Sequence, residues 1–239
     1  AVTLPTALQS VGSYAVYNRR RLATITLPQT VTDFGGGALM NCRALHTVVL
    51  RAAPNAPTCL QKLLGEHASE LDVRFEGESP ARLLFPAYTE ELEDLSPAHI
   101  FQRRIHGAGY GYRQCFDASV LSFRQYDLAL TGLLERHDFS VAARVAARRL
   151  AVPYALSDAA RDAYLDCLRA HGGALLRVCA AAGESAAISF LLSLGVLTAA
   201  DVDAACDAAR EKEQTAALSV LLAATGKTSA KGRTKTFDL

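Results

Sequence analysis

Two consecutive stretches decide the fold: residues 4–26, LPTALQSVGSYAVYNRRRLATIT, and residues 27–49, LPQTVTDFGGGALMNCRALHTVV. They match at a spacing of 23 positions, and each ends in a run rich in leucine and β-branched residues. The matched pairs include Leu4 with Leu27, Pro5 with Pro28, Gly12 with Gly35, Asn18 with Asn41 and Leu22 with Leu45. A period of roughly 20–29 residues is typical of a solenoid, in which each repeat forms one coil. The sequence therefore predicts stacked coils in a single register.

The alternation within each repeat predicts which side chains fill the solenoid. The inward residues of the short strands are expected to be Leu22, Ile25, Leu27, Leu45, Val48 and Leu50. A tight helical turn on the far side of each coil is expected to hold Ala15, Val16, Ala38 and Leu39. Asn18 and Asn41 fall where a buried carboxamide would satisfy backbone groups that the turn leaves free.

The pattern of the second repeat, LPxxVxxFGxxALxNCxxLxTVxL, resembles the BspA-like (treponemal-type) leucine-rich repeat of bacteria. The resemblance covers residues 4–50 and continues in degenerate form to about residue 85. It departs from the family pattern at Tyr14, at Arg19–Arg21 and at Gly35–Gly37. What it implies is a curved scaffold that binds proteins or other macromolecules, with a repeat that carries no catalytic residue.

Residues 71–88, LDVRFEGESPARLLFPAY, are predicted to cap the solenoid at its carboxy-terminal end. Leu71, Val73 and Phe75 alternate, a turn follows at Gly77 and Ser79-Pro80, and residues 83–85 return as a second strand. Two clear repeats are fewer than the three or more that a stable solenoid needs. We therefore expect further repeats before Ala1 in the native protein.

From about residue 96 onward the apolar period changes from two to 3.6, which predicts helices. The predicted helices cover residues 122–136, 139–150, 158–171, 173–182, 184–194, 198–212 and 214–225. Gly172-Gly173 is interpreted as a joint between two of them, and Ser157 and Thr198 as N-caps. The acidic pairs Glu90-Glu91 and Glu93-Asp94 are interpreted as the first turn of a helix.

The predicted fold class is α+β, a short leucine-rich repeat solenoid followed by an all-α stacked-helix domain. A match at a spacing of 30 between residues 187–192 and 217–222 makes the helical part similar to ankyrin or other alpha-solenoid units. The predicted domains are a capped repeat segment over 1–85, a connector over 86–121, a helical domain over 122–226 and a disordered basic tail over 227–239.

Two surfaces are predicted to bind a partner. The first is the outward face of the solenoid strands, which is a common binding face in such arrays; it comprises Thr24, Thr26, His46, Thr47 and Val49. The second is a polar and aromatic surface within residues 99–116, HIFQRRIHGAGYGYRQCF; it comprises Arg103, Arg104, His106, Tyr110, Tyr112 and Arg113.

Residues 99–116 also allow two chemical interpretations. Cys115 would be a thiolate nucleophile with His106 as its base, although no third orienting residue is evident in the sequence. Gly107, Gly109 and Gly111 would cradle a phosphate, although GAGYG lacks the Lys-Ser/Thr of a P-loop. The interpretation we favour is an ordered joint between the solenoid and the helices.

Composition limits the other function classes. The formal net charge is +1, which argues against nucleic acid as the main partner, because nucleic-acid binding requires a concentrated basic surface. The sequence contains no run of 18 or more apolar residues, so it predicts no membrane span. The six cysteines include no CxxC pair, so the sequence predicts neither a metal site nor a cofactor, and we interpret the thiols as reduced.

The function that follows is a non-catalytic protein–protein interaction scaffold with a protein partner, in the cytoplasm. A cell-surface adhesin or host-binding protein is the first alternative, and it would be exported by a signal peptide that precedes Ala1. The second alternative is an enzyme or a ligand sensor that uses residues 99–116.

Overall fold

The structure, a computed structural model, describes residues 1–95 and 100–231, without the side chains of 92–95, 100–103 and 225–231. The first part of the chain forms β1 (Val2–Thr3), β2 (Ser10–Val11), β3 (Thr24–Pro28), β4 (Asp33–Phe34), β5 (Thr47–Arg51), α1 (Leu60–Gly65), β6 (Leu71–Phe75) and β7 (Ala81–Phe85). There follow β8 (Thr89–Leu95), β9 (Ile100–His106), α2 (Gly109–Arg113), β10 (Phe116–Asp117) and β11 (Val120–Leu121). The last part forms α3 (Phe123–Leu128), α4 (Leu130–Glu135), α5 (Phe139–Ala151), α6 (Asp158–Ala181), α7 (Ser185–Ser193), α8 (Ala199–Glu211) and α9 (Thr215–Lys231).

The repeated stretches form a solenoid-like sheet of about three turns, in a chain that is mixed α and β. Strands β1, β3, β5 and β6 lie side by side and parallel. Ile25 pairs with Val48, and Val48 pairs with Val73, so equivalent residues of successive coils stack on one another. A second parallel pair, β2 and β4, joins the same coils at another point of the repeat. The spacing of 23 residues therefore predicted both the coil and its register.

The interior of the solenoid contains the residues that the alternation predicted. All six predicted strand positions are at most 5% exposed: Leu22, Ile25, Leu27, Leu45, Val48 and Leu50. Burying aliphatic side chains of this size contributes roughly 1.5–3 kcal/mol each, which is the main source of stability for a coil that has little other structure. The stacked apolar rows thus explain why these short strands stay in register.

The asparagines of the repeat have a different role from the predicted one. Asn18 and Asn41 adopt positive φ angles of 59° and 64°, in the left-handed region that asparagine tolerates better than most residues. Asn18 is exposed, and its carboxamide oxygen accepts a hydrogen bond from Nε of Arg20 at 3.0 Å. The prediction of a buried amide was wrong for Asn18, because the turn selects the residue for its backbone conformation.

The hairpin predicted within the carboxy-terminal cap is confirmed, because β6 and β7 pair antiparallel. Val73 pairs with Leu83, and both side chains are fully buried. Strand β7 is at the edge of the sheet, where an open backbone would invite pairing with another chain. The hydroxyl of Tyr126 on α3 lies against this edge: it donates to the carbonyl of Leu84 at 2.6 Å and accepts from its N–H at 3.0 Å.

The acidic residues after the cap are part of a strand. Residues Glu90, Glu91, Glu93 and Asp94 all lie in β8, which pairs antiparallel with β9. The prediction of a helical first turn was wrong because the partner strand is basic: Glu91 is directly opposite Arg104, and opposite charges across strands stabilise a hairpin.

Helix α6 is a single helix of 24 residues where two had been predicted. Gly172 and Gly173 do not break it, because they serve helix packing. A Cβ on Gly172 would lie 2.9 Å from Cδ2 of Leu197, and one on Gly173 would clash with the carboxylate of Asp201. The two glycines therefore allow α8 to approach α6 closely.

The predicted N-caps are confirmed: Ser157 accepts from the N–H of Ala160, and Thr198 forms a capping box with Asp201.

Three helical hairpins, α4–α5, α6–α7 and α8–α9, have the same kind of turn between their two helices. Each has one residue at positive φ, namely His137, Gly183 and Glu213. In each turn the next N–H bonds to the carbonyl five residues earlier: Asp138 to Leu133, Glu184 to Cys179 and Gln214 to Ala209. This is the Schellman arrangement for ending a helix, and its repetition gives the three hairpins equivalent joints.

The helices pack onto the sheet as one continuous series. Helix α5 packs against β7, α6 lies between α5 and α8, and α7 packs against α9.

Helix α9 extends to Lys231, beyond the boundary predicted at 226, and residues 232–239 of the predicted tail are outside the described residues. Within residues 1–95 and 100–231, no helix combines the length and apolar character needed to cross a lipid bilayer.

Candidate binding site

The predicted strand face, comprising Thr24, Thr26, His46, Thr47 and Val49, is on one side of the sheet. Thr24 pairs with Thr47 and Thr26 pairs with Val49, so the four side chains form two adjacent rows. His46 precedes β5 and is exposed, and its Nδ1 lies 2.9 Å from the hydroxyl of Thr47. Thr24 and Thr26 are half-buried, whereas Thr47 and Val49 are buried. The accessible part of the strand face is therefore Thr24, Thr26 and His46.

The same two rows continue into the cap hairpin, where the residues in them are charged. Thr47 pairs with Asp72 on β6, and Val49 pairs with Arg74. On β7, Arg74 is opposite Arg82. The alternation in LDVRF carried this information, because Asp72 and Arg74 alternate with inward apolar residues. The predicted binding residues nevertheless include none from this part of the sheet.

Helix α5 covers the end of this charged region. Arg148 on α5 approaches Asp72, with Nε 3.3 Å from Oδ2, and Arg144 forms an ion pair with Glu70. Leu84, opposite Asp72 on β7, is consequently buried. The four arginines that meet at this corner, which we call the arginine cluster, are Arg74, Arg82, Arg144 and Arg148.

Asp72 lies beneath the arginine cluster and interacts with three of its members. Arg82 donates from Nε at 2.9 Å and also from its terminal nitrogen, and Arg74 lies at 3.3 Å. Burial alone would raise the pKa of the Asp72 carboxyl, but Arg82, assisted by Arg74 and Arg148, lowers that pKa below its ordinary value. The carboxylate is thus ionised at neutral pH and is shared among three guanidinium groups.

The surface at this corner is positively charged. The Asp72 side chain is 13% exposed, whereas the side chains of Arg82, Arg148 and Arg74 are 25%, 34% and 43% exposed. Solvent therefore contacts the guanidinium groups and the Glu70 carboxylate, which is 33% exposed, whereas the Asp72 carboxylate is covered. A partner that approaches this surface meets positive charge, although the chain as a whole is nearly neutral.

A groove of about 590 Å³ opens beside the arginine cluster, between β7 and helices α5, α6 and α7. We call it the junction groove. Its lining includes three arginines, Arg82, Arg144 and Arg148, and one carboxylate, Glu184. The remaining wall is mainly apolar and includes Ala147, Ala151, Leu175, Val178, Ala187 and Phe190. The volume is within the range of roughly 300–1,000 Å³ that is usual for ligand sites.

The second predicted surface, within residues 99–116, is divided between the interior and the surface of the protein. Tyr112 and Arg113 are buried, and Tyr110 is half-buried with its ring 5.7 Å from that of Tyr88. His106 is exposed and lies 3.4 Å from Glu91, and Arg104 is exposed on β9. The side chain of Arg103 is outside the described part of the chain.

Arg113 explains why this segment is ordered. Its guanidinium donates to five backbone carbonyls, those of Leu64, His67, Ser69, Pro86 and Gly109. Burial lowers the pKa of the guanidinium to about 10, which remains well above neutrality, so the group is charged. The favoured interpretation, a joint between solenoid and helices, agrees with these contacts.

Two of the three glycines of the proposed phosphate cradle, Gly107 and Gly109, are required by backbone packing. Gly107 has a φ of +87°, and a Cβ on Gly109 would lie 2.6 Å from the carbonyl oxygen of Ala87 and nearer still to that of Pro86. Two carbonyl oxygens at this position would repel a phosphate. The GAGYG sequence is thus explained by close approach of two chain segments.

We expect Gly109→Ala to lower the free energy of unfolding by roughly 1–3 kcal/mol, because the added methyl group displaces backbone atoms that cannot move independently. Gly111→Ala is the matched control, since nothing lies within 4 Å of the added Cβ in the same helix. Urea denaturation of both variants measures the difference. Equal stability of the two variants would contradict the close approach.

The proposed nucleophile Cys115 is buried, and its thiol donates to the carbonyl of Gly111 at 3.5 Å. Burial, with a smaller contribution from Asp127, raises the pKa of the thiol to about 11, so little thiolate forms at neutral pH. All six cysteines are buried and unpaired. This environment disfavours the interpretation of Cys115 as an activated nucleophile.

At pH 7 we expect iodoacetamide to modify Cys115 in the folded protein no faster than the other five cysteines. Mass spectrometry of a labelling time course measures the rates, and the urea-unfolded protein provides the reference in which all six react. Selective rapid labelling of Cys115 would instead support the enzyme alternative.

The described residues contain no group of three or more His, Cys, Asp or Glu side chains that could hold a metal ion. Comparison with protein families gives no match for this chain, and neither the curated proteins nor the solved structures contain a significant match. The candidate site therefore depends on its geometry alone: a strand face that continues into the arginine cluster and the junction groove.

Proposed function

We propose that this chain is a non-catalytic protein-binding scaffold of the BspA-like leucine-rich repeat type, with an ankyrin-like stack of helices. The 23-residue register of the parallel strands supports the first assignment, and the three equivalent turns between helices support the second. Its docking surface is the strand face together with the arginine cluster.

The observation that carries this proposal is the continuity of two rows of side chains across successive coils, which are accessible at β3 and again at the arginine cluster and are buried at Thr47 and Val49 between them. Thr24 and Thr26 on β3 belong to the same two rows as Asp72 and Arg74 on β6. A row of small polar side chains that leads to concentrated charge can contact an extended partner at several points. The buried thiols and the carbonyl-lined glycines of residues 99–116 favour this function over the catalytic alternative.

Site-specific photo-crosslinking tests the docking surface. We would place p-benzoylphenylalanine at Thr26 or at His46, irradiate the protein in lysate of the source cells, and identify the adducts by mass spectrometry. Met40, which is 48% exposed in the turn before β5, is the control position. We expect the same protein to be captured from Thr26 and His46 and not from Met40.

The captured protein is then purified and titrated against charge variants. We expect Thr24→Glu with Thr26→Glu to weaken its binding by about tenfold, because the new carboxylates oppose the positive charge of the docking surface, whereas Met40→Glu, which adds a carboxylate at an exposed site, leaves the affinity unchanged. Adducts formed equally from Met40, or affinity unchanged by the double variant, would exclude the strand face as the docking surface.

A further inference from the structure

The junction groove combines charge with apolar surface. Arg82, Arg144 and Arg148 contribute to its lining, and most of the other lining residues are apolar. Val178 on the wall is 64% exposed, which leaves a large apolar side chain in water unless a ligand covers it. A ligand that fits both features needs negative charge beside apolar groups.

The arginines at the groove outnumber their counter-charges. Four guanidinium groups of the arginine cluster share two carboxylates, Asp72 and Glu70. Nε of Arg148 is buried beside Asp72, but the Arg148 side chain as a whole is 34% exposed. An incoming carboxylate would therefore meet an excess of positive charge, and charge-assisted hydrogen bonds to guanidinium groups are strong.

The charged and apolar residues of the groove come from different elements. The arginines are on β7 and α5, whereas Val178 and Phe190 are on α6 and α7. The acidic part of a ligand therefore belongs over β7 and α5, and its apolar part over Val178 and Phe190.

We propose that the junction groove binds an acidic peptide segment that carries apolar side chains beside its carboxylates. A peptide suits the site better than nucleic acid, because Phe190 is the one aromatic residue among the described lining residues, and single-stranded nucleic acid needs several stacking platforms. This inference rests on the proposed function, since it names the chemistry of the protein partner, but it concerns a surface that can be tested separately from the strand face.

Fluorescence anisotropy with a fluorescein-labelled probe, a 12-residue peptide of Glu-Phe-Asp-Leu repeats, tests the proposal on the full chain. We expect micromolar affinity that weakens as salt increases, because the attraction is partly electrostatic. A peptide of the same length with lysine in place of each acid, a 12-residue polyglutamate and a 12-nucleotide oligouridine are the comparison probes, and each is expected to bind at least tenfold more weakly.

Two matched pairs of variants locate the binding. Arg144→Glu is expected to weaken the acidic probe about tenfold, whereas Arg169→Glu, which also breaks an exposed ion pair, leaves it unchanged. Val178→Glu is expected to weaken it similarly, whereas Leu128→Glu, also at a 64% exposed position, does not. Thermal denaturation verifies that each variant remains folded.

Several outcomes would overturn the proposal. Oligouridine bound as tightly as the acidic probe, with the same dependence on Arg144, would identify a general polyanion site. If polyglutamate bound as tightly as the acidic probe, the apolar side chains would not be required. If the acidic probe did not bind at millimolar protein concentration, the groove would not be a binding site. If the acidic probe binds but Thr24→Glu with Thr26→Glu leaves binding of the captured partner unchanged, the groove inference survives and the strand face fails. If the double variant weakens the captured partner but the acidic probe does not bind, the groove alone is removed.

Discussion

Replacing Arg113 by methionine is expected to lower the free energy of unfolding by roughly 3–5 kcal/mol, a large share of the stability of a domain. The guanidinium donates to five carbonyls that come from α1, from the segment before β6, from the end of β7 and from α2. Methionine fills a similar volume without a donor, so these buried oxygens lose their partner, and each unsatisfied group costs about 1–3 kcal/mol before relaxation.

Urea denaturation measures the loss, and two further variants identify its cause. Arg136→Met is the control, because Arg136 is exposed and donates to a single carbonyl, that of Gly107 at 3.3 Å. Arg113→Lys keeps the charge but concentrates three donors on one atom, so it is expected to recover only part of the loss. A cost below about 1 kcal/mol for Arg113→Met would show that the five bonds are not needed to hold the cap against the helices.

The solenoid was predictable because its information is local and repeated. Each strand of the repeat contains its own inward and outward residues, and the neighbouring coil has the same residues 23 positions later, as for Ile25 and Val48. Register follows directly, since a slip by one residue would expose the buried row. The cap was predictable for the same reason, because Leu71, Val73 and Phe75 alternate in the same way.

The errors arise where a residue is selected by a distant part of the chain. Gly172 and Gly173 suggest a break when only α6 is considered, but their neighbours across the packing interface are on α8 and in the loop before it. Arg113 was placed on a polar surface because its sequence neighbours are polar, while its acceptors are up to 49 residues away. Sequence composition does not reveal which way such a side chain points.

The sequence predicted only the part of the candidate site whose residues belong to the repeats. The strand face follows from the pattern of a single repeat, and Thr24 and Thr26 lie where that pattern placed them. The arginine cluster depends on the docking of α5 against β7, which brings Arg144 beside Glu70 across 74 positions of sequence. Their proximity results from tertiary packing that no periodicity in the sequence encodes.

Asp127→Asn is expected to lower the free energy of unfolding by roughly 3–5 kcal/mol, because it leaves the buried guanidinium of Arg149 without a counter-charge. Arg149 on α5 is fully buried and binds Asp127 on α3 through Nε at 2.8 Å and a terminal nitrogen at 3.1 Å. The hydroxyl of Tyr164 on α6 donates to the same carboxylate at 2.9 Å. Three helices are thus held together by one carboxylate.

The matched control is Asp166→Asn, which removes an exposed carboxylate from an ion pair with Arg169 and is expected to cost no more than about 0.5 kcal/mol. Replacing both buried partners, with Asp127→Leu and Arg149→Met, is expected to recover most of the loss, because two apolar residues need no counter-charge. Recovery would show that the pair makes little net contribution to stability and is costly only when broken. If the double variant were as unstable as Asp127→Asn, the hydrogen bonds to Tyr164 and to the carbonyl of Tyr154 would be the contacts that hold α3, α5 and α6 together.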